Sequence, residues 1–388
     1  MYDPAFIRLL TEAVGEGAAA RTLEGLGRDP SVSIRLNPAL LRDCPFPGAE
    51  RVPWCEWGFI LPERPVFTLD PLYHAGCYYV QDSSAMFPGE LFRRIISGLG
   101  PGLRVLDLCA APGGKTTDMA ASLRERFGDD WLLVSNEVMA KRFRALRGNV
   151  RTWRDHRVAV CSKDPSAFPA GALFDVILAD VPCSGEGMFR KDSRAVEEWS
   201  EETVRFCAAR SRRIIGSVLP ALAPGGVLVF STCTFNAIEN DGTVLELAEK
   251  YGAEVLDFGD YPGVKRTRCG YALLPGTVPG EGQWAAALRF PEGHPGRKMT
   301  ERDLLSALKA EFPYDPSETE GLPEADVDLR TALKYLRGEA ITLPDAPVGL
   351  ITVTYNGKPL GLAKNIGTRC NNLYPKENRI LMTIPDNL

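Results

Sequence analysis

The chain has 388 residues, 45% of them hydrophobic and 24% charged, with a net charge of -5, and at the usual ~100–200 residues per domain it can hold two or three buried cores. This composition excludes intrinsic disorder, and no run approaches the ~18 consecutive apolar residues of a membrane span. The acidic balance argues against wholesale coating of nucleic acid and leaves room only for local basic patches.

In chain order, Asp3 and Arg8 interrupt the first ten residues and no apolar stretch follows them, so no secretory signal is expected. Residues 1–100 are rich in Pro, Gly and aromatic side chains and read as a small α+β extension. Residues 101–292 alternate short apolar runs with amphipathic segments, the pattern of βαβ units around a mainly parallel sheet. Strands are predicted at 103–108, 131–135, 157–160, 175–179, 227–231 and 283–289, and helices at 115–126, 139–149, 194–219 and 239–251. The layout is α/β and doubly wound, Rossmann-like, with ligands expected beyond the carboxyl ends of the strands. Residues 293–388 read as a linker, acidic over 313–328, and a separate small β-rich domain, with a hairpin entry at 350–355 before Asn356-Gly357.

The ten cysteines are scattered without a Cys-x-x-Cys pair, and His74, His156 and His294 are the only histidines. Reduced thiols in a cytoplasmic protein, and no metal site, are therefore expected. The densest basic run is Lys141, Arg142, Arg144, Arg147, Arg151, Arg154 and Arg157, with Trp153 among them. Any such run alone reads as a solvated helix face, but the runs recur around Arg190, Arg210 and Lys265, which points to a polyanion partner. Arg144, Arg147 and Arg151, with Lys364 and Lys376 near the C-terminus, are the positions expected to meet it.

The first strand runs into Cys109, Ala110, Ala111, Pro112, Gly113, Gly114 and Lys115 and then a helix. Small residues let a ligand approach the backbone, and the helix N-terminus offers unpaired N–H groups. A nucleotide P-loop would need glycine where Cys109 stands, and the dinucleotide fingerprint G-x-G-x-x-G is absent. The remaining reading is a methyltransferase turn holding the amino-acid part of S-adenosylmethionine, with Glu137 after the next strand accepting from the ribose hydroxyls. Taken alone, Glu137 reads rather as a helix N-terminal acid stabilised by the macrodipole.

Asp180-Val181-Pro182-Cys183 ends the fourth strand and Ser231-Thr232-Cys233 the fifth. Either cysteine alone reads as a small buried hydrophobe, but two at adjacent strand ends suggest thiol chemistry. Carbon 5 of cytosine is too poor a nucleophile to be methylated directly, so a thiolate must first add at carbon 6 to make an enamine. A protonated carboxyl at ring N3, a position Asp180 suits, would stabilise it. A second thiol or a base then assists elimination. The reactive edge is shielded by stacking, so the base must be single-stranded or flipped out.

The runs Leu106–Thr116, Asp180–Asp192 and Ser231–Phe235 with Glu239-Asn240 resemble the Sun-type RNA 5-methylcytosine methyltransferases, as do Ile34–Pro38 and Tyr79–Met86 upstream. Downstream, Lys334–Gly338, Gly357–Gly361 and Asn371–Lys376 resemble the bacterial RsmF-type branch, which acts on small-subunit ribosomal RNA. The resemblance implies Cys233 as nucleophile and Cys183 as the thiol that helps release product, the reverse of DNA cytosine-5 methyltransferases. It also implies that Cys109 to Lys115, Glu137, Asp164 and Asp180 line the cofactor site, with Asp164 at the adenine end. Beside Lys163 and Pro165, Asp164 reads nearly as well as a surface turn. The chain departs from the family at Val181, at Ser211 and at Gly276, where Ala, Gln and His are common. A monomer that binds S-adenosylmethionine and ribosomal RNA is expected. The alternatives are a transfer RNA cytosine-5 methyltransferase and a non-catalytic, RNA-binding ribosome assembly factor.

Overall fold

A computed structural model describes residues 2–293 and 298–385; Met1 and His294 lie outside them. At its centre is a nine-stranded sheet. Five strands are parallel, in the spatial order Val158–Cys161, Trp131–Asn136, Leu103–Asp107, Phe174–Asp180 and Leu222–Thr232. Gln283–Arg289 adds antiparallel to the last of these, followed by Tyr271–Leu273 and Lys265–Arg266, while Glu254–Val255 pairs with the other end of Gln283–Arg289. The central strands read as unbroken apolar runs because helices cover both faces, and Trp131–Asn136 is buried at every position.

All six predicted strands form, and Gly114–Phe127, Ala140–Trp153 and Asp241–Tyr251 match three of the predicted helices. The fourth differs. The helix expected over 194–219 is two, Ser193–Glu197 and Glu201–Val218. The Ser200 side chain accepts from the Thr203 N–H and Glu201 and Glu202 occupy the next turn, so a fresh N-terminus begins there. Trp199 sits buried at the break, its indole N–H donating to Glu186.

The N-terminal region has helices Pro4–Val14 and Glu16–Leu26 and a four-stranded antiparallel sheet of Val32–Leu36, Glu50–Val52, Cys55–Leu61 and Tyr78–Val80. Phe6, Leu9, Leu10 and Val14 pack not on that sheet but into the core on one face of the central one. The C-terminal sheet is Glu324–Asp326, Gly349–Tyr355, Lys358–Asn365 and Cys370–Asn372. Its hairpin turns at Asn356 and Gly357 with φ of 51° and 67°, as the sequence implied.

Two expectations need correction. The acidic segment 313–328 is not wholly a linker, since Glu324–Asp326 is a parallel edge strand. Nor is the C-terminal region separate in its packing. Ile34, Leu36, Phe59 and Leu61 of the N-terminal sheet share one apolar core with Leu333, Leu336, Ile351 and Val353. Among the described residues no helix is long and apolar enough to cross a membrane.

Candidate active site

The chain leaves Leu103–Asp107 toward Trp131 and Val158 on one side and returns to Phe174 and Leu222 on the other. Order therefore reverses between Asp107 and Asp180, and a crevice opens at these strand ends. It holds a pocket of about 200 Å³ lined by Asp107, Cys109, Ala110, Ala111, Pro112, Gly114, Lys115 and Asp180, and closed by Tyr79, Val80, Gln81, Asp82 and Ala85 of the N-terminal region. Gly113, just before the helix, has φ of 112°, which disfavours any other residue, and an added Cβ would also stand 3.3 Å from Leu146.

The acids of this crevice are incompletely satisfied. Asp107 Oδ2 accepts from the Thr116 hydroxyl at 2.6 Å, but its buried Oδ1 has no hydrogen-bond partner. Burial pushes the Asp107 carboxyl up to about 7. Glu137 Oε1 accepts from the Met139 N–H at 2.8 Å, while Oε2 accepts no hydrogen bond and faces Arg142 Nη1 at 3.2 Å. The Asp107 atom calls for a ligand that brings a donor.

Across the pocket, Lys115 Nζ lies 2.9 Å from Asp180 Oδ2, and Asp180 Oδ1 accepts from Ser231 Oγ at 2.7 Å and Gln283 Nε2 at 3.0 Å. Burial works against the Lys115 ammonium, but the charge and hydrogen bond of Asp180 outweigh it and raise it. Three donors thus converge on Asp180.

Asp180 and Ser231 are register partners in adjacent strands, so the loops after them emerge side by side. The sulfurs of Cys183 and Cys233 meet at 3.3 Å. Contact with Cys233, then burial, holds the Cys183 thiol well above the usual range. Burial likewise pushes the Cys109 thiol up to about 12, so Cys109 serves as wall and not as a nucleophile.

The sequence-predicted residues Cys109 to Pro112, Gly114, Lys115 and Asp180 are thus gathered at one crevice, with Gly113 supporting the turn. Glu137 flanks the crevice without lining the pocket. Asp164 is exposed and accepts from the Ser166 N–H at 3.0 Å and from its hydroxyl, the surface-turn arrangement. Asp107, which lines the same pocket, is not among the residues the sequence singled out. The upstream motif also gains a role, because buried Arg35 donates to Gln81 Oε1 and to the Gly114 carbonyl, both at 3.0 Å, and lies 4.7 Å above Trp153. Gly276 stands where histidine is common because a Cβ there would meet the Arg21 carbonyl at 2.3 Å. Arg147 and Arg151 are paired with Glu311 and Glu318, while Arg144, Lys364 and Lys376 are exposed.

Residues 99–289 match the family model described as 16S rRNA methyltransferase RsmB/F, with the RsmF N-terminal domain matched at 3–83 and the RsmF PUA domain at 323–380. The chain is 32% identical to a ribosomal RNA small subunit methyltransferase F of Shigella boydii over 84% of each chain, and 32% identical to one of Citrobacter koseri over 97% of this chain and 96% of that one. Among solved structures, a methyltransferase homolog from Pyrococcus horikoshii superposes with a TM-score of 0.61 at 25% identity, covering 74% of this chain and 95% of that one. With motifs, fold and relatives over nearly its whole length in agreement, the chain belongs to the RsmB/F family of 16S rRNA methyltransferases.

Proposed function

We propose that the protein methylates carbon 5 of a cytosine in small-subunit ribosomal RNA, using S-adenosylmethionine as donor and a transient covalent bond between Cys233 and carbon 6. The observation that carries this reading is the 3.3 Å contact of two strand-end thiols beside the Lys115–Asp180 pair. The crevice suits the cofactor: Asp107 Oδ1 is free to accept from its ammonium, and Glu137 from its ribose hydroxyls. When bound, the cofactor supplies an electrophilic methyl group.

The protein's own groups account for the other steps. The two sulfurs stand in contact at 3.3 Å, and the Cys233 sulfur is the partner assigned to attack. Its addition to carbon 6 makes carbon 5 an enamine carbon able to take the methyl group. Asp180 lies where it can face ring N3. Lys115, Ser231 and Gln283 hold its carboxyl group in place for that contact. Cys183, acting as a thiolate base, then takes the carbon 5 proton; the freed electron pair re-forms the double bond between carbons 5 and 6 as the bond from carbon 6 to sulfur breaks and Cys233 leaves as thiolate. An assembly factor without chemistry would have no need of both thiols and the acid.

The test is incubation of the protein with labelled cofactor and either naked small-subunit ribosomal RNA, assembled subunits or transfer RNA. Label at carbon 5 of cytosine in ribosomal substrates is the expected result. Label only in transfer RNA would overturn the substrate assignment, and none in any of them the enzyme itself.

A further inference from the structure

The loops that carry the two thiols are joined by a reciprocal pair of buried acids. Glu186 belongs to the Cys183 loop and reaches into the Cys233 loop, where its Oε2 accepts from the Phe235 and Asn236 N–H groups at 2.6 and 3.2 Å. Glu239 lies beyond Cys233 and reaches the other way, its Oε2 accepting from the Ser184 N–H at 2.9 Å and its Oε1 from the Ser184 hydroxyl. The Asn236 amide sits between them, donating to both carboxyl groups at 2.9 Å. Gly187 N–H also bonds to the Cys233 carbonyl at 2.8 Å.

Each acid is only 1% exposed. Two carboxyl groups so close in a dry interior are costly, and an apolar pair would fill the space with less penalty. What an apolar pair could not do is fix one loop's backbone to the other at hydrogen-bond precision. The Cys233 loop has its own anchor as well: Thr232 donates to Asn240, and Asn240 donates to the Thr234 carbonyl. Among the described residues, the Cys183 loop is tied to the Cys233 loop at Ser184 itself only by the Thr234 hydroxyl and Glu239, while Glu186 and the Gly187 N–H hold it further along.

We propose that Glu186 and Glu239 form a latch that positions Cys183 against Cys233, so that its loss separates attack on the base from release of the product. Glu239 is the member whose removal acts on the release step, because Cys233 keeps its separate anchor. This role rests on the two-thiol reaction proposed above. Attack needs only Cys233 and survives a loosened Cys183 loop. Release needs Cys183 within reach of the adduct, and a displacement of about 1 Å can slow such a step by about a hundredfold.

The experiment compares Glu239→Gln and Ser184→Ala with the wild type and with Cys183→Ala, all with Cys233 intact. The Gln amide turns one acceptor toward Ser184 into a donor, and the Ala removes the hydroxyl contact without burying a new polar group. Methyl transfer to RNA, RNA–protein adduct on denaturing gels and cofactor affinity are read together. Expected are a fall of about a hundredfold in turnover for Glu239→Gln, a smaller fall for Ser184→Ala, unchanged cofactor affinity and KM for RNA, and adduct accumulating in both. Adding Cys233→Ala should abolish the adduct. Normal turnover in both variants, or lost turnover without adduct, would overturn the latch, and Ser184→Ala decides the matter should Glu239→Gln not fold. If Cys183→Ala traps RNA and the latch variants do not, the reaction stands and the latch falls. If Cys183→Ala traps none, the two-thiol reaction fails and takes the latch with it.

Discussion

The two halves of the crevice solve opposite problems. On the side of the glycine-rich turn, Asp107 and Glu137 are buried with an oxygen that accepts no hydrogen bond. On the thiol side, the buried polar atoms of Glu186, Thr234, Asn236, Glu239 and Asn240 all have partners among the described residues. An unsatisfied acid is an invitation to a ligand that arrives and leaves. A saturated network holds still, as the covalent step proposed for Cys233 requires.

The largest test of that contrast is Cys233→Ala. It should reduce methyl transfer to background while leaving cofactor affinity within a few-fold, since its sulfur belongs to the saturated half. Label-transfer assays beside calorimetric titration of the cofactor would show it, and normal turnover would remove Cys233 from the nucleophile's role.

Next in size is Asp107→Asn, on the unsatisfied half. Losing a charged hydrogen bond of about 1.5–3 kcal/mol should weaken cofactor binding roughly 10- to 100-fold. In the wild type, binding a cation beside a carboxyl held near 7 by burial should release a proton, so affinity tightens as pH rises through 7. The dependence should be nearly absent in Asp107→Asn. Titrations at pH 6 and 8 suffice, and a pH-independent wild type would place the ammonium elsewhere.

The same carboxyl makes a smaller prediction for the ligand-free protein. Its folded value lies above its unfolded one, so its contribution is complete below about pH 4 and is lost as pH rises through 7. Glu239, also lifted to about 7 by burial, adds in the same direction. Thermal midpoints should therefore fall between pH 5.5 and 8, less steeply in Asp107→Asn, and cofactor should restore them at the higher pH.

Smallest is the effect of surface charge. Arg144 bears no ion pair among those described, whereas Arg147 and Arg151 are already neutralised by Glu311 and Glu318. If the groove of 840 Å³ that these three arginines help line carries RNA, Arg144→Ala should flatten the plot of log affinity against log salt by about 0.7. Arg147→Ala and Arg151→Ala should change it less. Equal effects at all three would mean that the acidic segment moves aside when RNA binds.

Local patterns made the central sheet and the glycine-rich turn legible. Strand-length apolar runs end in loops whose small or reactive residues stand out, and Asp180 and Cys183 follow one such run directly. What stayed hidden depends on partners far apart in the chain. The burial of Trp199 at the helix break depends on Glu186, 13 residues earlier, which accepts from its indole N–H. The Glu186–Glu239 latch spans two loops, and each acid alone reads as an ordinary surface charge. Asp107 was hidden for the opposite reason, since within Val105-Leu106-Asp107-Leu108 it passes for part of a strand.

The core shared by the N-terminal sheet and the C-terminal region has a consequence for synthesis. Ile34 and Leu36 emerge from the ribosome some 300 residues before Leu333 and Ile351, which complete their packing. Until then the N-terminal sheet has an uncovered apolar face, and it also supplies Tyr79, Val80 and Gln81 to the pocket wall. Contacts so distant in sequence close late and leave sticky surface waiting. The newborn chain can therefore build its central sheet early, but the wall of the pocket beside Asp107 and Lys115 should firm up only when the last sixty or so residues arrive.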